Sequence, residues 1–217
     1  MKTIFSFLLL ACTTLAIAQP NNPYNQQCHD VYVSGNIVLE KLKKITDKTL
    51  TNEMIKEMQR DIPSKTQMDA QTAGQIFQAV KKSPLSITDA LRKSNLSLEA
   101  QKEVSLIIKN ATTLKKENKK QWLTERTSKI LESGFSKNEK EVLLVTIGLI
   151  NNQDVSQAKG IGCYTEVDGK VVYYGEGDDC IGVMAAAGFV IGASICGTPC
   201  GIAGAIIGAV VASVTRS

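Results

Sequence analysis

The apolar positions of this chain fall into three regimes. Between residues 28 and 152 they recur at helical spacing, around residues 163 to 174 they alternate, and from Ile181 to Val214 they run for 34 residues without a charge. In the first regime Val38, Leu42 and Ile45 share one face of a helix expected over Asp30 to Thr46. A shorter helix is expected from Asn52 to Arg60, ended by the approach to Pro63, and another from Asp69 to Lys82. The latter carries Ala73, Ile76, Phe77 and Val80 on one face and stops before Pro84. Ser86 caps a short segment with Asp89 in its first turn, and Ser97 opens a run striped by Val104, Ile107, Ile108 and Leu114. Lys115 to Lys120 reads as a lysine-rich break before a helix bearing Trp122, Leu123, Ile130 and Leu131, which Gly134 closes. Ser136 with Glu139 is a capping box ahead of the apolar helix Val142 to Ile150. No repeat of fixed period occurs. Loops this short favour adjacent antiparallel helices, so residues 28 to 152 predict a body of five to seven packed helices.

In the second regime, Asp168-Gly169 lies between two β-forming runs, Cys163 to Val167 and Lys170 to Tyr174. Both residues tolerate positive φ, so a type I′ hairpin is expected, with Val167 opposite Lys170, Thr165 opposite Val172 and Tyr164 opposite Tyr173. An isolated two-stranded hairpin is marginal in water and needs a staple or a packed partner. In the third regime Gly197-Thr198-Pro199 interrupts the apolar run, predicting two helices of about 16 and 14 residues folded back on each other. At about 1.5 Å per residue each is about 21 to 24 Å long, short of a hydrocarbon core of about 30 Å. Leucine is absent from this tail, and Gly188 with Gly192, Gly197 with Gly201, and Gly204 with Gly208 form small-xxx-small pairs suited to close helix packing. The fold class expected is mainly α: a multi-helix body, a small β-hairpin and a C-terminal hydrophobic helical hairpin.

Charge sharpens the boundary near residue 160. Residues 20 to 162 carry 22 Lys and Arg against 16 Asp and Glu, whereas residues 163 to 217 carry two against five. At the N-terminus, Lys2 precedes the apolar run Thr3 to Ala11 and then Ala16-Ile17-Ala18, the pattern of a secretory signal peptide cleaved before Gln19. Leu9-Leu10-Ala11-Cys12 offers a competing lipoprotein reading with Cys12 as the lipid-bearing residue, although the apolar Leu15 to Ala18 after it argues against that. The expected organisation is a signal peptide over 1–18, a helical body over 19–159, a β-hairpin linker over 160–180 and a glycine-zipper tail over 181–217.

Cleavage at Gln19 leaves Cys28, Cys163, Cys180, Cys196 and Cys200. In an exported chain the clustered four read as disulfide candidates. Cys163 and Cys180 bracket the β-hairpin, where a closed loop contributes about 3 kcal/mol in the chain-entropy model. Cys196 and Cys200 are placed to clamp the tail's bend, and pairing each with Cys163 or Cys180 is equally legal. The odd count leaves Cys28 unpaired, or pairs it and frees another.

The chain carries no obvious catalytic, cofactor or metal set. Cys28, His29 and Asp30 are consecutive, so on a helix they point in different directions and form no nucleophile–base–orienter array. Glu176 to Asp179 lacks the spacing of a calcium loop and reads as a solvated turn. Lys115, Lys116, Lys119 and Lys120 read as a solvated helix end before they read as a site for anionic lipid or nucleic acid, and Trp122 reads as core before it reads as interfacial. The sequons at Asn95 and Asn110 carry little weight beside a bacterial-looking signal peptide. Nucleic acid is not an expected partner; membrane lipid and self-association through the tail are.

The phrases Gly-Ala-Ser-Ile-Cys-Gly-Thr-Pro-Cys-Gly (192–201) and Ala-Gly-Ala-Ile-Ile-Gly-Ala (203–209) give residues 160 to 217 a resemblance to halocin-type and related bacteriocin peptides. Glycine-zipper tails of bacterial envelope proteins are similar too. The first resemblance implies a C-terminal peptide carried on a longer exported precursor whose remainder serves as an immunity segment. It carries over no catalytic residue, and this chain has fewer cysteines than that group. Release near Lys159-Gly160-Ile161-Gly162 would then give a peptide of about 55 residues. Three functions remain open: a membrane-active protein, an envelope protein anchored by its tail, and, weakest, an enzyme. The same composition suits a tail buried in the body, one inserted in a membrane, or one stored and then released.

Overall fold

The computed structural model describes residues 21–42, 71–72, 74–75, 87–153, 164–167, 170–173 and 178–214. It is mainly helical. Its helices are α1 (Asn25–Leu42), α2 (Ile87–Lys93), α3 (Leu98–Thr113), α4 (Lys116–Glu132), α5 (Lys137–Asn151), α6 (Asp178–Cys196) and α7 (Thr198–Val214). Strands β1 (Tyr164–Val167) and β2 (Lys170–Tyr173) pair antiparallel, Tyr164 with Tyr173 and Val167 with Lys170. The turn residues Asp168 and Gly169, the expected helix at Asn52 to Arg60, and Ala73, Ile76, Phe77 and Val80 lie outside the described residues, as do the N-terminal export segment, Cys163 and the cleavage segment at Lys159 to Gly162.

Helix α1 starts earlier than its apolar spacing implies, because Asn22 sets its first turn. The Asn22 side chain accepts from the Tyr24 amide at 3.0 Å, and Cys28 N–H donates to Tyr24 C=O at 3.0 Å. Its buried face is Cys28, Val31, Tyr32, Ser34 and Gly35. In α3, Ser97 caps the N-terminus by accepting from the Ala100 amide, and Ala100, Val104, Ile107, Ile108 and Ala111 form the buried stripe. Leu114 is that helix's C-cap and not part of the stripe.

The lysine run corrects the sequence reading. Lys115 is an N-cap and Lys116 to Lys120 are already helical, so the run forms the first turns of α4 and is not a break. Lysine is a good helix former, and Lys119 rides inward on the same face as Leu123, Thr127 and Ile130. Leu131 points outward at 36% exposure.

Helix α5 has no exposed face over most of its length: Val142 through Ile150 are all buried. A helix apolar all round must be surrounded. Helices α1, α3 and α4 pack against α5 from the body, and α6 packs against it from the tail. The tail hairpin α6–α7 therefore forms one half of the core and α5 with its neighbours the other. Each fully buried Ile or Leu contributes about 1.5–3 kcal/mol, so Ile107, Ile108, Leu143, Leu144, Leu149 and Ile181 form a substantial shared core.

Candidate functional site: the sheathed glycine hairpin

The apolar tail folds back on itself at a single residue. Gly197 adopts φ 81°, a left-handed value that favours glycine, and its amide donates to Ala193 C=O at 2.9 Å. Because one such residue suffices to end α6, α7 resumes at Thr198, and Pro199 falls in its first turn, where the missing N–H costs nothing. The helices are longer than expected, 19 and 17 residues, α6 because it starts at Asp178 ahead of the uncharged run and α7 because it resumes inside the expected break. Asp178 and Asp179 belong to the first turn of α6 and not to a loop.

The two helices meet backbone to backbone. A Cβ added at Gly188 would fall on the carbonyl oxygen of Gly204, and one added at Gly204 would fall on that of Gly188. Gly192 meets the carbonyl of Cys200 in the same way, and Gly208 that of Met184. Positions 184, 188 and 192 face 208, 204 and 200, each set stepping by four, which keeps one antiparallel seam along the helix axes. Gly201 turns from this seam toward Phe189: a Cβ there would lie 2.7 Å from Phe189 Cε2. Gly197 does not share in the packing, because the space around it is open and its role is the turn. Cys196 and Cys200 are disulfide-bonded across this bend, with Cα atoms 5.5 Å apart.

Burial of the hairpin is graded. Ile181 to Gly192 and Cys200 to Ala209 are buried with the exception of half-buried Ile202, while the tip emerges, Ile195 reaching 42% exposure. Beside the tip lies a cleft of about 280 Å³ lined by Ser94, Leu96, Asn138, Val142, Val190 and Ser194, among others. No helix among the described residues is long and apolar enough to cross a membrane.

The sheath is held to α5 by polar side chains that find backbone carbonyls. Asn22 Nδ2 donates to Leu144 C=O at 2.7 Å, Tyr32 Oη to Leu149 C=O at 2.6 Å, and Cys28 Sγ to Val145 C=O at 3.6 Å. Gly148 permits this approach, since a Cβ there would sit 2.5 Å from Cys28 Sγ. Burial pushes the Cys28 thiol up to about 12 and raises Tyr32 well above the usual phenol range, with Cys28 a lesser cause for the latter. Cys28 is a free thiol packed inside the core. Its neighbours His29 and Asp30 lie toward solvent, 3.7 Å from each other, so the three do not converge on one point.

Two polar devices escaped the reading of the sequence. Glu103 is 8% exposed and takes both Nε and Nη2 of Arg126 on its two oxygens, a bidentate pair joining α3 to α4. That hydrogen bond raises the Arg126 pKa, and its guanidinium also lies 5.9 Å from the centre of the Trp122 ring. A signal existed: Glu103 occupies a position inside the stripe Ala100–Val104–Ile107, where an uncompensated charge is costly. The second device is Glu139. Besides completing the capping box with Ser136, its Oε1 accepts from the Ser97 amide at 3.0 Å, tying the starts of α3 and α5 together. Hydrogen bonds from Ser97, then from Ser136, hold its carboxyl down at about 2.

Among the described residues, no group of three or more His, Cys, Asp or Glu is arranged to hold a metal ion. No protein-family model matches the chain, and neither curated proteins nor solved structures provide a match.

Proposed function

We propose that the chain is an exported, membrane-active protein of the bacteriocin-like kind, in which the helical body shields the Gly- and Cys-rich hairpin that enters a target membrane. The observation that carries this reading is the seam of Gly188, Gly192, Gly204 and Gly208 inside a charge-free hairpin covered by the body. A hairpin whose own interface is glycine against backbone keeps its internal contacts when its surroundings change. Only its outer apolar face exchanges protein for lipid, and lipid tails are as apolar as the core it leaves. At about 1.5 Å per residue the charge-free parts, residues 181–196 of α6 and 198–214 of α7, are about 24 and 26 Å long, short of a hydrocarbon core of about 30 Å, so the hairpin enters by thinning the bilayer or oligomerising. Its partners are membrane lipid and further copies of the hairpin, and its place is outside the cytoplasm, in the envelope or the medium. In this reading residues 160–180 serve as the linker, and the body keeps the shielding or immunity role before any cleavage near Gly160.

Dye-filled vesicles of bacterial lipid test the reading. Leakage caused by the full chain or by the oxidised 163–217 peptide supports it, and an intact dye load with both rejects it. A second reading, a non-enzymatic envelope protein presenting a helical interaction module, is favoured by the all-round burial of Val142 to Ile150, as befits a permanent core. That protein would fractionate with membranes uncleaved and release no dye.

A further inference from the structure

The end of the molecule that carries the hairpin tip also carries a second, basic depression. A groove of about 450 Å³ between α2 and α3 is lined by Leu91, Arg92, Leu98, Lys102, Leu106 and Lys109, among others. Its apolar rim is open to solvent, Leu98 at 72% exposure and Leu106 at 37%. The tip cleft, bounded by Ser94 to Leu96 and by Ala193 to Thr198, is joined to this groove by the short turn that leads from Leu91 to Leu98. That turn is braced: Ser94 Oγ donates to Leu91 C=O at 2.6 Å, and Gln101 Nε2 donates to Leu96 C=O at 2.9 Å.

Resting on the membrane-active reading above, we propose that this end is the docking face for an anionic bilayer. Exposed Lys93 and Lys137 are chain neighbours of Ser94 and Asn138, which line the tip cleft, exposed Lys102 and Lys109 line the groove with Leu98, and Ile195 is exposed at the tip. Of the nearby described carboxylates, Glu139 is turned onto Ser97 and Ser136, and exposed Glu99 beside Leu98 is outnumbered by the four lysines. The surface thus pairs long-range attraction to phosphate headgroups with apolar side chains that reach past them, the combination that interfacial proteins use. It also places Gly197, the turn of the hairpin, nearest the lipid, so docking orients the tip before the hairpin moves. The lysine run of α4 is not part of this face; Lys120 lines a separate depression with Asn21 and Asn25.

The test is co-sedimentation of the full oxidised chain with phosphatidylcholine vesicles, with and without phosphatidylglycerol. Binding is expected with the anionic vesicles alone and should fall with salt. Each surface lysine near such a bilayer is worth about fivefold, so Lys93→Ser/Lys102→Ser/Lys109→Ser should weaken binding about 100-fold. The same charge removed from α4, in Lys116→Ser/Lys120→Ser/Lys129→Ser, should leave binding within a few-fold. Equal weakening by the two triple variants, or equal binding to both vesicle types, overturns the docking face. Leakage on the same samples separates this inference from the function. Face-dependent binding without leakage removes the membrane-active reading and leaves the docking face. Leakage unchanged by the first triple variant does the reverse.

Discussion

Replacing Gly188 by alanine tests the hairpin seam at its tightest point. The added methyl would fall on the Gly204 carbonyl oxygen, 2.8 Å from its carbon and 3.2 Å from Gly208 Cα. Carbon atoms in ordinary contact sit about 3.5–4.0 Å apart. Every obstructing atom is backbone, so no side chain can swing aside, and relief requires the helices to part. Parting them loosens Gly192 against Cys200 and Gly208 against Met184 as well, and a gap of about 0.5–1 Å already forfeits a quarter to a half of each contact. Overpacking of this kind costs about 3 kcal/mol, while alanine in place of glycine in a helix returns about 1 kcal/mol. The net loss is about 2 kcal/mol, a fall in Tm of about 4–8 °C for a chain of this size. Gly35 is the internal control, since it lies within α1 and a Cβ there has nothing within 4 Å. Gly35→Ala should raise the Tm by about 2–4 °C. Thermal unfolding of the oxidised proteins by far-ultraviolet circular dichroism reads both. A Gly188→Ala protein as stable as the parent would refute close backbone packing.

Three further outcomes follow from the two polar devices and the buried thiol. Glu139 has a folded pKa of about 2, below its ordinary 4.5, so its stabilising contribution is complete above about pH 4.5 and disappears as pH falls toward 2. Urea midpoints measured down that range should decline less steeply in Glu139→Gln than in the parent, and identical slopes would contradict the assignment. Cys28, buried and held at about 12, should resist iodoacetamide at about pH 8 until the protein is unfolded, as read by peptide mass spectrometry; prompt native labelling would show that the core opens. Arg126→Met should cost about 3 kcal/mol by stranding the Glu103 carboxylate, whereas Glu103→Leu/Arg126→Met should regain most of it. Additive losses in the double variant would deny the coupling.

Local chemistry made several elements legible. The Ser136–Glu139 box, the Ser97 cap and the stripe Val104–Ile107–Ile108 depend on neighbours within four residues, and each can be read from the chain and occurs in the structure. The start of α1 is not legible in the apolar spacing, because Asn22, a polar residue ahead of that pattern, sets it through its side chain. The lysines at 115 to 120 resemble a break in the sequence because charge density masks good helix propensity. In the tail, spacing by four marked Gly188, Gly192, Gly204 and Gly208 as packing positions, but it gave Gly197 the same mark, since a repeat cannot tell a seam residue from a turn residue. The tail's placement against α5 was beyond composition altogether: an apolar face looks the same whether protein or lipid will cover it.

The most direct measurement on the function places an indole at the hairpin tip and asks where it goes. Trp122 is the chain's single tryptophan, so Ile195→Trp in a Trp122→Phe background reports only the tip, at a position already 42% exposed. With anionic vesicles whose acyl chains carry bromine, the account predicts a blue-shifted emission quenched by the bromines as the hairpin enters. Emission that stays red and unquenched while the protein sediments with the vesicles would contradict it, and would leave the hairpin as the permanent core of a helical module.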